Sequence, residues 1–168
     1  CGNTMRSVDS IAVHLYVDGG ARMCADDVSM HAAAAWRILR SGVCLEEGVR
    51  FLPRTGAHEA ELRALAFGLE RCRALGLTDV EVFTDCDACR VVVAYDPEPR
   101  SYWRRASPEL RDRVHELRAT FGRVAQSITL VPRRHPEIVQ CDWLCGSLLC
   151  RFGRVSEDKV RQLRGRRS

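Results

Sequence analysis

Ile11-Ala12-Val13-His14-Leu15-Tyr16-Val17-Asp18-Gly19-Gly20 is the stretch on which the fold of this chain turns. Ile11, Val13, Leu15 and Val17 alternate with His14, Tyr16 and Asp18. That two-residue period belongs to a strand with one buried face, which Gly19-Gly20 is expected to break. The strand therefore ends on a carboxylate.

Working outward, Ala32–Leu39 reads as a second strand, Ser41-Gly42 as a hairpin turn and Val43–Leu52 as a third strand. Helical spacing begins near His58: Leu62, Leu65, Ala66, Leu69 and Cys72 form an apolar stripe, with Glu61 on its margin. Gly76 is expected to close that helix, and Val80–Asp85 is a fourth strand that again ends on a carboxylate. A short helix over Cys86–Tyr95 follows, then an irregular loop to Ala106. Ser107-Pro108 starts a helix that Gly122 is expected to stop; Ser127–Pro132 is a fifth strand, and a last helix spans roughly 139–151. The order β-β-β-α-β-α-α-β-α predicts an α/β fold. Its five-stranded mixed sheet has a three-strand antiparallel meander followed by parallel strands, with helices on both faces. Residues 1–10 read as an extension, 11–152 as one catalytic domain and 153–168 as a basic tail.

Composition narrows the class. A chain of 168 residues, 46% hydrophobic and 29% charged, is ordinary globular material with no apolar run of membrane-spanning length. Residues 1–96 carry a net −4 and residues 97–168 a net +8, an asymmetry that suits a polyanion gripped beside an acidic site. Nine cysteines, an odd number without a secretion signal, point away from a disulfide scaffold and toward an intracellular, reducing compartment, cytoplasm or nucleus. Cys86-x-x-Cys89 and Cys141-x-x-x-Cys145 fall in apolar helical stretches, where cysteine serves as a small hydrophobe rather than a zinc ligand. The start at Cys1 is what a piece of a larger polypeptide would show.

Four acids stand out. Asp18 and Asp85 end strands, Glu61 edges a helix, and Asp142 sits in the last helix. Two neighbouring strand ends would set the two aspartates side by side, where an open α/β sheet gathers its ligands. A compact group of carboxylates suits hard divalent cations with oxygen donors.

The surrounding residues resemble the ribonuclease H family. Tyr16-Val17-Asp18-Gly19-Gly20 is similar to its first-strand motif, and His58-Glu59-Ala60-Glu61-Leu62 to its glutamate helix. Phe83-Thr84-Asp85-Cys86-Asp87 resembles its fourth-strand motif, and His135-Pro136-Glu137 with Cys141-Asp142-Trp143-Leu144 resembles its closing motif. The resemblance covers about residues 11–150. It implies a nuclease in which Asp18, Glu61, Asp85 and Asp142 hold two Mg²⁺ ions, with Mn²⁺ a possible substitute. The reaction implied is in-line hydrolysis of the RNA strand of an RNA–DNA hybrid, leaving 5′-phosphate and 3′-hydroxyl ends. His135 is implied as an assisting acid/base. The chain departs from the family where Gly56-Ala57-His58 replaces an asparagine pair and where Pro132 replaces a histidine.

Substrate contacts are expected from the backbone at Gly19 and Gly20, from His58, from Trp103, Arg104 and Arg105 in the loop, and from Arg133 and Arg134. Two other readings stand beside the enzyme. One is a non-catalytic module of the same fold that binds nucleic acid or a partner. The other is the ribonuclease H domain of a retroelement reverse transcriptase polyprotein. The early position of Glu61 argues against an integrase-like arrangement, in which the glutamate comes last.

Overall fold

The computed structural model describes residues 12–23, 30–90 and 108–165. Strand β1 (Val13–Met23) is the centre of a five-stranded sheet ordered β3-β2-β1-β4-β5, with β2 (Met30–Arg40), β3 (Val43–Leu52), β4 (Val80–Thr84) and β5 (Ala125–Leu130). The pairs β1–β2 and β2–β3 are antiparallel, whereas β1–β4 and β4–β5 are parallel. The expected meander followed by parallel strands is present.

The alternation in β1 fixes its faces. Leu15 and Val17 pack under helix α1 (Ala57–Ala74) through Leu62, Leu65 and Leu69, joined by Val114, Leu117 and Phe121 of α3 (Pro108–Val124). Tyr16 turns to the opposite face with Ala33 and Ala35, where Ile138, Cys141, Cys145 and Leu149 of α4 (Pro136–Gly165) cover it. Each fully buried leucine contributes roughly 1.5–3 kcal/mol. The alanines of β2 divide by parity, Ala32 and Ala34 to the first face and Ala33 and Ala35 to the second. Side chains that small let helices approach both faces closely. Helix α2 (Asp87–Arg90) follows β4, and the described residues cover one turn of it. Among the described residues no helix is long and apolar enough to cross a membrane.

Several boundaries differ from expectation. Gly19-Gly20 does not break β1: the strand runs on to Met23, paired residue by residue with β2. Gly122 lies inside α3, which continues to Val124 because Phe121 and Val124 are buried in the core. Helix α4 starts three residues earlier than expected, with Pro136 at its first position, where a missing N–H costs nothing. It also runs without a break to Gly165, through the proposed tail boundary. Helix α1 ends as expected. Gly76 takes φ 69°, and the Gly76 and Leu77 N–H groups donate to the Arg73 and Cys72 carbonyls in a Schellman closure.

Ion pairs tie the layers together. Arg71 on α1 donates to both oxygens of Glu46 on β3, at 2.6 and 2.8 Å. Arg37 on β2 reaches Glu47 at 2.6 Å and Glu137 of α4 at 2.8 Å. The Arg37 Nε–Glu137 contact has ion-pair distance but not hydrogen-bond direction, so its attraction is Coulombic only.

Candidate active site

Parallel pairing of β1 and β4 carries the register Tyr16↔Phe83, and the two strands part just beyond it. Asp18 and Asp85 each lie two residues further on, at the mouth of this split. The turn after β4 is held by Thr84, a fully buried residue whose Oγ1 accepts the Cys86 N–H at 3.1 Å and whose carbonyl accepts the Val131 N–H at 2.9 Å. Asp85 is thus presented by a fixed backbone. Asp18 is not at a strand end as expected but inside β1, opposite Ala35, and only 4% exposed.

Glu61 comes in from α1. The helix lies so close to β1 at this point that a Cβ on Gly19 would sit 2.5 Å from the Ala60 carbonyl carbon. The Gly19 N–H donates to Glu61 Oε2 at 2.9 Å and fixes the carboxylate over the strand. Asp18, Glu61 and Asp85 offer oxygens that all lie within 4.8 Å of one another. Asp142, in the second turn of α4, is exposed and stands outside that trio, but its charge is felt at Asp18.

The trio is electrostatically frustrated without a counter-charge. Burial, then repulsion from Asp85 and Asp142, pushes the Asp18 carboxyl up to about 7. Burial and the neighbouring Asp18 push Glu61 up to about 10. Hard oxygen donors packed this tightly fit a divalent cation, which would relieve both effects.

The other expected site residues fall into three groups. Arg133 lies at the acids, its Nε 3.6 Å from Asp85 Oδ2 while the side chain remains 86% exposed. Arg134 is exposed beside it, and His58 is exposed in the first turn of α1. The glycines turn inward instead of outward: Gly19 is buried against α1, and Gly20 faces Cys145 of α4. Gly19 packs against α1, and its N–H is taken up by Glu61. Trp103, Arg104 and Arg105 lie outside the described residues.

His135 makes two contacts at the start of α4. Its ring stacks on Tyr16 with centroids 5.1 Å apart, and its Nδ1 accepts the Glu137 N–H at 3.3 Å, capping α4. The hydrogen bond puts the ring proton on Nε2 in the neutral form. Sequence reasoning missed this cap, although a polar residue directly before Pro136 was its signal. It also gave no role to Trp143, which is 64% exposed next to Asp142. A cavity of about 350 Å³ between α1 and α3, lined by Leu62, Phe67 and Leu117 among others, shares no residue with the acids.

Comparison with known proteins follows the same lines. Residues 17–119 match the family described as reverse transcriptase-like. RNase H1 of the halophilic archaeon Halobacterium salinarum NRC-1 is 28% identical with a TM-score of 0.63, over 82% of this chain and 97% of that one. The N-terminal RNase H domain of a Mycobacterium tuberculosis protein has a TM-score of 0.67 at 19% identity, over 90% of this chain and 99% of that one. LC11-RNase H1, from compost and solved with an RNA/DNA hybrid, has a TM-score of 0.63 at 21% identity, over 80% and 94%. No curated protein matches the chain in sequence. With the sheet order, the acid-bearing elements and these matches in agreement, the chain belongs to the ribonuclease H family.

Proposed function

We propose that this protein is a divalent-metal-dependent endonuclease that hydrolyses the RNA strand of RNA–DNA hybrids, leaving 5′-phosphate and 3′-hydroxyl ends. The observation that carries this reading is the convergence of Asp18, Glu61 and Asp85 within 4.8 Å, with Asp142 close enough to raise Asp18. Two Mg²⁺ ions held by these four acids, or Mn²⁺ in their place, would supply Lewis acidity to the attacking water and the leaving 3′ oxygen. The protein's own share is placement. Glu61 is aimed by the Gly19 N–H, and Asp85 by the Thr84 turn. The Arg133 guanidinium, exposed yet 3.6 Å from Asp85, is suited to receive a phosphate at the edge of the cluster. His135 keeps its Nε2–H for a substrate or product oxygen while Nδ1 caps α4.

The hybrid is the favoured substrate because an A-like minor groove offers shape and 2′-hydroxyls to a shallow, charged surface. One of the similar structures holds an RNA/DNA hybrid. The reverse transcriptase-like family match supports a second reading, that this nuclease works as one domain of a longer polypeptide. A reducing cellular compartment fits the seven described cysteines, all of which are unpaired.

The test is cleavage of end-labelled RNA in a hybrid, in single-stranded form and in duplex RNA, across a Mg²⁺ and Mn²⁺ titration. Cutting confined to the hybrid and stopped by chelation is expected. Hybrid binding without cutting at any metal concentration would instead assign the non-catalytic module.

A second outcome concerns the grip. Replacing Arg133 and Arg134 together by Ala is expected to weaken hybrid binding and to make the log–log salt slope shallower by roughly 0.9 for each phosphate no longer neutralised. An unchanged slope in binding assays from low to high salt would leave both arginines as solvated charges.

A further inference from the structure

Cys86 and Cys89 do not only fill space. Their sulfurs and a Glu61 carboxylate oxygen lie within 4.8 Å of one another, so Glu61 belongs both to this group and to the acid trio. Cys89 is fully buried against the core under α1, where its thiol donates to the Glu61 carbonyl at 3.7 Å. Cys86 is half-buried, so the group is reached through Cys86 and Glu61. Cys141 and Cys145 sit on the opposite face of the sheet and take no part, so these four cysteines do not share one site.

We propose that Cys86, Cys89 and Glu61 form a second metal site, selective for a thiophilic divalent cation such as zinc, which competes with the hard-cation site for Glu61. Two thiolates and one carboxylate make a donor set that zinc and cadmium prefer and magnesium does not. Tetrahedral zinc with Zn–S near 2.3 Å separates its donors by roughly 3.5–3.8 Å. A group already within 4.8 Å closes to that size with side-chain shifts of about an ångström. Binding takes the two cysteines as thiolates and Glu61 as a carboxylate, releases the protons all three hold to solvent, and leaves the fourth position to water. Glu61 has one carboxylate for two sites, and its Oε2 is already bonded to Gly19. A soft ion drawing on Glu61 therefore disarms the trio. That consequence for cleavage rests on the proposed nuclease activity; the binding itself does not.

Cadmium serves as the probe because cadmium–thiolate charge transfer absorbs in the ultraviolet. Titrating the reduced full chain with Cd²⁺ is expected to give a thiolate band, of which a portion equal to one bound ion disappears in Cys86→Ser and is displaced by Zn²⁺. Cys86→Ser is the main variant because the fully buried Cys89 is less tolerant of change. The same band and affinity in Cys86→Ser as in the parent protein would overturn the site. In hybrid cleavage with Mg²⁺, the zinc concentration for half-inhibition is expected to rise at least tenfold in Cys86→Ser, whatever rate that variant has. A lost cadmium band with unchanged zinc inhibition would overturn the competition for Glu61. A chain that never cuts hybrid but still loses the band in Cys86→Ser would sink the nuclease reading and leave the metal site standing.

Discussion

Asp18→Asn is expected to lower Mg²⁺-dependent hybrid cleavage about a thousandfold or more, and at the same time to stabilise the metal-free fold. The first effect follows from removing a charged oxygen donor from the trio, a loss of roughly 4 kcal/mol of transition-state stabilisation. The second follows from the cost of the buried charge. Asp18 keeps its proton in the folded chain up to about pH 7, against an ordinary 3.8. Folding therefore takes up a proton between those values, and stability falls as pH rises from about 4 to 7. Glu61 extends the fall toward pH 10, since its proton too is held far above the usual 4.5. An uncharged Asn removes the Asp18 share of that slope, worth on the order of 1–3 kcal/mol at pH 8. Thermal unfolding in chelator at pH 5 and pH 8 checks this, and Mg²⁺ should recover stability in the parent protein more than in Asp18→Asn. A variant that is less stable than its parent at pH 8 without metal would contradict the frustrated-cluster account.

Gly19→Ala carries the larger structural effect. The added methyl would lie 2.5 Å from the Ala60 carbonyl carbon and 2.8 Å from Glu61 Cα, closer still to the Glu61 nitrogen. All of these are backbone atoms of α1, which cannot step aside as a side-chain tip can. The helix must lift from β1, at a cost of about 3 kcal/mol, and Glu61 moves with it. Loss of cleavage together with a lowered melting temperature is expected. Gly20→Ala is the internal comparison. Its methyl would meet only the Cys145 Cβ at 3.4 Å and the Leu149 Cδ1 at 3.9 Å, so a change within about 1 kcal/mol is expected. Equal effects at the two positions would mean that the close approach of α1 is not what requires Gly19.

These two glycines also mark where sequence reasoning stopped. The leucine stripe of α1 is legible because it records a single buried face, whereas β1, whose alternation predicts one buried face, is covered on both, by α1 over Leu15 and Val17 and by α4 over Tyr16. Gly19-Gly20 read as a break because local propensity says so, whereas the pairing of β1 with β2 and the approach of α1 are long-range facts that override it. Gly122 was misread in the same way, carried through by the burial of Phe121 and Val124 around it. The acids are legible as residue types but their arrangement is not: Asp18, expected at a strand end, lies inside β1. That three of them meet closely while Asp142 stands further out depends on where β1 and β4 part. Neither the Tyr16–His135 stack nor the nearness of Cys86 and Cys89 to Glu61 leaves any local trace in the chain.

The sheet order places β3 at a rim, ten residues long, with Val43 and Leu45 exposed near its start. A bare rim of that length invites another chain to add a strand. Here the rim carries Glu46, Glu47 and Arg50, and a register shift opposite it at Ile38/Leu39 interrupts the regular ladder. The carboxylates that bind Arg71 and Arg37 within the molecule also line this border with paired charges that a docking second copy would have to desolvate. Holding the layers together and keeping neighbouring molecules apart are thus duties of the same side chains, and weakening either ion pair touches solubility as well as stability.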